Sequence, residues 1–271
     1  MLPKKVGNLT FLTFPNLAHH QGLLHAISTR HGGVSSGNYS SLNLAFHVGD
    51  KHDMVKRNHQ IVSQSLRFDL SSLVSCQQVH HHSIARIDES YHKKDCFLPD
   101  KALPETDGLV TDVLGITLMT RYADCVPLLF YSPTRHTVAL AHAGWQGTLE
   151  HIGPKTVELL SREFKCQSKD ILASLGPSIG PCCYEVSNMM ALQAAKALVK
   201  GEEYCRESPG KKLFFNLWQA NRKELSHAGI REENLYCSEI CTSCNSDQFF
   251  SYRKEKRVTG RFGAFIGLRK R

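Results

Sequence analysis

The 271-residue chain lacks any apolar run long enough to cross a bilayer as a helix, for which roughly 18 such residues are needed. Its first residues, Met1-Leu2-Pro3-Lys4-Lys5-Val6-Gly7, carry two lysines with no apolar stretch behind them. They do not read as a signal peptide, and a cytoplasmic protein with no membrane partner is expected. Internal repeats, low-complexity tracts and Pro/Ser-rich linkers are absent, so one domain over residues 1–271 is the expectation. Aromatic and basic residues do not interleave over any long span, which argues against a stacking platform for single-stranded nucleic acid. Acidic residues are outnumbered, 25 against 33 Lys and Arg, for a formal charge of +8. That balance suits phosphates or nucleotides. The excess is spread along the chain and is dense only in the tail, Lys254 to Arg257 and Arg269-Lys270-Arg271.

Cysteine is not scarce. Ten cysteines without a secretory signal point to thiols rather than a disulfide framework. Hydrophobic content of 41% and charged content of 21% are those of a soluble globular protein.

Patterning predicts strands over 9–14, 24–28, 73–79, 83–87, 115–119, 126–131, 137–142, 171–175, 249–252 and 262–268. Helices are predicted over 53–66, from the Gly144-Trp145-Gln146-Gly147 turn to about Phe164, over 188–200 and over 217–228, with Gly153-Pro154 a possible break. Strands and helices mix without strict βαβ alternation. The expected class is a layered α/β (α+β) fold with a mixed sheet and flanking helices.

Cys125 precedes one apolar strand and His142 ends the next, 17 residues later. A tight hairpin sets the start of its first strand beside the end of its second. The two side chains therefore meet at the open end. His80, after the 73–79 strand, begins the run His80-His81-His82, which also reads as an exposed turn. A cysteine and two histidines from three strands make either a zinc site with an open position or a Cys–His hydrolytic pair. In the second reading Cys125 is the nucleophile, His142 its base, and Asp124 or a backbone carbonyl the orienting group. Arg30, in the glycine- and serine-rich loop 29–37, is the expected anion anchor. Cys182 and Cys183 read as packing residues. Cys237, Cys241 and Cys244 have C-x3-C-x2-C spacing, which suits iron–sulfur ligation or, with a fourth ligand, a structural zinc. The position near the C-terminus, with no βα barrel before it, argues against the cluster.

Together these segments resemble the YfiH-like family, also called laccase-domain or multi-copper polyphenol oxidoreductase-like proteins. The resemblance rests on Ser28-Thr29-Arg30-His31-Gly32-Gly33-Val34-Ser35, Ser41-Leu42-Asn43-Leu44, His47-Val48-Gly49-Asp50, Gln78-Val79-His80, Asp107-Gly108-Leu109-Val110-Thr111 and Ala123-Asp124-Cys125-Val126-Pro127. It continues through His142-Ala143-Gly144-Trp145, residues 176–186, Phe249-Phe250-Ser251-Tyr252-Arg253 and Thr259-Gly260-Arg261. It implies a YfiH/cytotoxic-necrotizing-factor-like fold and one zinc on His80, Cys125 and His142, with copper the weaker alternative. It also implies phosphorolysis of purine nucleosides (adenosine, inosine, guanosine, methylthioadenosine) with adenosine deamination, by a monomer or homodimer. Editing of peptidoglycan precursors by a Cys–His amidase is the alternative activity, and copper polyphenol oxidation a weaker one. The expected catalytic residues are Arg30, Asp124 and Cys125, with Asp124 as proton shuttle or orienter. The expected substrate contacts are Arg30, Asn43, Gly144, Trp145 and Arg253. The chain departs from the family pattern at Tyr122 for threonine, Gln146 for arginine and His81 for glycine, and His81 and His82 could compete as ligands.

Overall fold

In a computed structural model of the protein, residues 1–270 are described; Arg271, the end of the basic tail, lies outside them. One sheet has the strand order β1 (Leu2–Val6), β2 (Leu9–Thr13), β3 (Leu23–Ser28), β15 (Phe262–Leu268), β7 (Thr117–Tyr122) and β4 (Leu73–Ser75). A second has β14 (Leu235–Cys237), β10 (Leu172–Leu175), β8 (Val126–Ser132), β9 (Thr137–Ala143), β6 (Gly108–Thr111) and β5 (Ile84–Arg86). A small third sheet joins β11 (Glu185–Val186), β13 (Leu213–Phe215) and β12 (Cys205–Glu207). Pairing is antiparallel except for β4 with β7, β5 with β6 and β10 with β14.

The two large sheets face each other. Leu118, Tyr122 and Ile266 of the first pack with Leu109, Leu129, Val138 and Leu140 of the second. The outer face of the second sheet, including Val126, Leu128 and Phe130, is covered by α3 (Ile152–Phe164), α4 (Asn188–Ala197) and α5 (Leu217–His227). The outer face of the first is covered by α1 (His52–Leu66) through Val55, Val62 and Leu66. The layers thus run helix, sheet, sheet, helix. β8 and β9 are buried along their whole length, which is why both read as unbroken apolar runs rather than alternating ones. Each large apolar side chain so buried contributes about 1.5–3 kcal/mol.

Several expected elements change. The helix expected to follow the Gly144–Gly147 turn is two, α2 (Trp145–Leu149) and α3, divided at His151 with φ 62°. Pro154 is the reason: it lacks an N–H and is accommodated only in a first turn, so the helix restarts just before it. The 249–252 segment is not a strand. Phe249 and Phe250 are buried, but the N–H of Ser251 donates to Glu255 and that of Arg253 to Asp124, so no ladder forms. The 73–79 strand stops at Ser75. Beyond it the Gln78 amide pairs with both backbone groups of Arg121, donating to its carbonyl at 2.9 Å and accepting from its N–H at 2.8 Å. A side chain takes the place of a strand neighbour. β1, β6, β14 and the third sheet were not expected from patterning.

Candidate metal centre

The β8–β9 hairpin pairs Pro127 with His142 and Val126 with Ala143. Continuing that register, Cys125 stands opposite Gly144 and diagonal to His142, so the two expected neighbours share the open end of the hairpin. A Cβ on Gly144 would lie 3.2 Å from Cys125 Sγ and 3.2 Å from His80 Cδ2. The missing side chain is what lets the third residue approach. Donor atoms of His80, Cys125 and His142 lie within 4.8 Å of one another. His142 is buried, Cys125 half-buried and His80 exposed, so the set opens to solvent on the His80 side.

Asp107, fully buried just before β6, organises both histidines. It accepts from the successive N–H groups of Val79, His80 and His81, each at 3.0 Å. It also bonds His142 Nδ1 at 2.8 Å. This holds His80 in a left-handed backbone (φ 66°). It also leaves His142 Nε2 as the nitrogen available to Cys125 or to a metal. The Tyr122 ring lies 5.4 Å from that of His142, and its hydroxyl donates to the Ala141 carbonyl at 3.0 Å.

Burial would raise the Cys125 thiol, but the His142 and His80 imidazoles overcome it and hold the thiol down to about 6. Burial would lower His142, but the Cys125 thiolate and Asp107 push it up to about 9. Asp107 sits below the usual carboxylate range despite burial, because His142 and the backbone N–H groups favour its anion.

The donor set opens into a cavity of about 400 Å³, within the usual range for small-molecule sites. His47, Gln78, Arg121, Tyr184, Tyr252 and Arg261 line it, together with Trp145, Asp124 and Arg253. Arg121 is buried, donates to Cys76 O and Ser75 Oγ, and leaves its Nε without a partner. Among the described residues, no carboxylate pairs with Arg121, Arg253 or Arg261. Burial lowers the pKa of Arg121 and of Arg261 and, with both charges near, pushes His47 down to about 4. A buried cation without a carboxylate partner, as at Arg121, calls for an anion, and the half-buried Arg261 and exposed Arg253 add to the positive field.

The expected anchor is elsewhere. Arg30 does not line the cavity; it pairs with Glu255 at 3.0 Å and stacks 4.4 Å over Phe250. Asn43 is buried behind the wall, where it accepts from the N–H groups of Ala45 and Arg261. Asp124 adopts φ 98°, and its carboxylate accepts from Thr242 Oγ1, Ser251 Oγ and the Arg253 N–H. Those bonds suit an orienting residue rather than a proton shuttle. Gly144 caps α2, and Trp145 and Arg253 lie in the wall. His81 and His82 both turn to Glu150. Gln146 is exposed on α2. His47, Gln78, Asp107, Tyr184 and Arg261 stand in the motifs without an assigned role, and Arg121 carries no signal beyond residue type.

Two imidazoles and a thiolate, with one imidazole braced by a carboxylate, suit a borderline-soft divalent ion and leave one tetrahedral position unfilled by protein. Residues 24–269 match the family described as multi-copper polyphenol oxidoreductase laccase, and the chain belongs to that family. It is 38% identical over 250 residues to the purine nucleoside phosphorylase YlmD of Geobacillus stearothermophilus, covering 92% of this chain and 91% of that one. It is 34% identical over 247 residues to adenosine deaminase RL5 of an unknown prokaryotic organism, covering 90% and 93%. The crystal structure of YlmD from Geobacillus stearothermophilus superposes with a TM-score of 0.92 at 36% identity, covering 98% of each chain. The chain is an enzyme with the mixed α/β fold of these proteins.

Proposed function

We propose that this chain is a zinc-dependent purine nucleoside phosphorylase that also deaminates adenosine, with its ion on His80, Cys125 and His142. The observation that carries the reading is one cavity holding both that donor set and three arginines without carboxylate partners. The names of the relatives agree with it. When bound, the zinc supplies Lewis acidity at the one position the protein leaves open. His2Cys donors also suit copper; the zinc assignment rests on three protein donors that leave one position to water or substrate, as catalytic zinc requires.

The arginines give the anion a site. Arg121 and Arg261 offer guanidinium donors to phosphate, replacing Arg30 in that role. Trp145 and Tyr252 offer apolar faces to a purine. In phosphorolysis a phosphate oxygen bonds to the ribose carbon as that carbon's bond to the purine nitrogen breaks, and the purine leaves with a proton. In deamination water replaces the amino group, and ammonia leaves. Asp107 keeps the His142 ring in one tautomer throughout, and Asp124 holds the Arg253 segment against the cavity. The test is incubation of the purified protein with adenosine, with and without phosphate. Adenine and ribose 1-phosphate made only with phosphate support the reading; no turnover of any purine nucleoside refutes it.

One observation favours a second reading. Cys125, His142 and Asp107 are arranged as nucleophile, base and orienting carboxylate. Asp107 then fills the place expected for Asp124. Such an amidase would not need His80.

A further inference from the structure

Four further cysteines gather outside the His80–Cys125–His142 set. Cys182 and Cys183 lie in the loop after β10. Cys241 and Cys244 lie in the segment after β14, at C-x2-C spacing. The two segments meet where Ser178 donates from its N–H to Ile240 O and accepts from the Thr242 N–H. Gly180 completes the approach: a Cβ there would stand 2.6 Å from the Trp218 ring and 3.2 Å from Cys241 Cβ.

All four sulfurs lie within 4.8 Å of one another. Cys244 Sγ is 3.6 Å from Cys182 Sγ and 3.4 Å from Cys183 Sγ. Tetrahedral thiolates each about 2.3 Å from one zinc stand roughly 3.8 Å apart. The Gly180 N–H donates to Cys241 Sγ at 3.3 Å, a bond that favours thiolate over thiol. Cys182 and Cys244 are exposed, and exposed free thiols are open to oxidation; a shared ion removes that exposure. Cys237, on β14, is not among the gathered sulfurs. The C-x3-C-x2-C spacing thus contributes only its second half to the group; Cys183 packs against the core as expected, whereas Cys182 is exposed.

We propose that Cys182, Cys183, Cys241 and Cys244 hold one structural zinc ion as a tetrathiolate site, pinning the loop after β10 to the segment after β14. Binding exchanges the thiol protons for the ion and releases them to solvent, with no redox change. The pinned segments carry Tyr184 on one side and Thr242, Ser251 and Arg253 on the other. The clamp thus holds the cavity wall and the partners of Asp124 in register.

The test is zinc content of the full-length protein, purified under reducing conditions without added metal. The wild type should carry about two zinc ions per chain, and His80→Ala and the double variant Cys182→Ser/Cys244→Ser about one each. If the His80 site holds no metal, the same proposal gives about one ion in wild type and His80→Ala and none in the double variant. The two assignments thus fail separately. Should the double variant not fold, cobalt-loaded His80→Ala protein must show the visible bands of a tetrahedral thiolate site. The proposal is overturned if the double variant keeps the wild-type zinc content. It is also overturned if cobalt-loaded His80→Ala lacks those bands, or if peptide mapping of fresh wild type finds a disulfide among the four.

Discussion

Asp107 couples the two histidines through one carboxylate. Its oxygens accept from three successive backbone N–H groups around His80 and from the His142 ring. Asp107→Asn leaves one good acceptor where two are used, so both histidines lose their setting. Zinc at this site should bind about 10–100-fold more weakly, read by competition with a chelator; unchanged affinity would dismiss the coupling role. Cys125 gives a pH signature. Its thiol is held down to about 6, so in metal-free protein the thiolate persists as pH falls to about 6 and is protonated below it. Alkylation at Cys125, followed by peptide mass, should rise with a midpoint near pH 6 and be blocked by bound metal. A midpoint near that of an ordinary thiol would contradict the His142 and His80 contribution. Arg121→Met removes an unpaired cation but keeps most of the stem. It should raise KM for phosphate by about 10–100-fold, the worth of a charge-assisted hydrogen bond, and change KM for adenosine much less. Equal changes in both would assign Arg121 to structure alone.

At the scale of elements, the site is the open end of one hairpin closed by the loop that follows β4 of the facing sheet. Gly144 begins α2 with ordinary dihedrals (φ −71°), so Gly144→Ala costs no backbone strain. Its methyl group meets Cys125 and His80 instead. Zinc occupancy and turnover should fall while the melting temperature of metal-free protein stays within a few degrees; global unfolding would show that the glycine serves packing instead. β8, β9 and their register were legible because buried strands write continuous apolar runs. The truncations were not. Gln78 follows β4 with a side-chain amide that imitates a peptide group, and Glu255 and the Asn245 carbonyl draw off the Ser251 and Phe249 N–H groups that a strand over 249–252 would use. Such substitutions of side chain for ladder leave hydrophobic patterning unchanged.

At the scale of the molecule, two facing sheets with helices outside bring together residues far apart in sequence. Motif reasoning reached His80, Cys125 and His142 because each carries metal chemistry in its residue type. Arg30 stands in a glycine-rich loop that looks like an anion site, whereas the half-buried Glu255 that pairs with Arg30 and the lack of a carboxylate partner for Arg121 exist only in three dimensions. The two thiol pairs, about 60 residues apart along the chain, were likewise unreadable as one group. The basic balance of the chain is concentrated to effect in the cavity, where the guanidinium groups lack carboxylate partners. The most direct test of the whole account is the phosphorolysis rate of His80→Ala with adenosine and phosphate. His80 is exposed; a metal needs its imidazole as a third protein donor, whereas the Cys125–His142–Asp107 arrangement uses it only to help hold the Cys125 thiol down. Loss of about 100-fold or more is predicted. A rate near wild type would remove the metal from the mechanism and leave Cys125, His142 and Asp107 as the catalytic group.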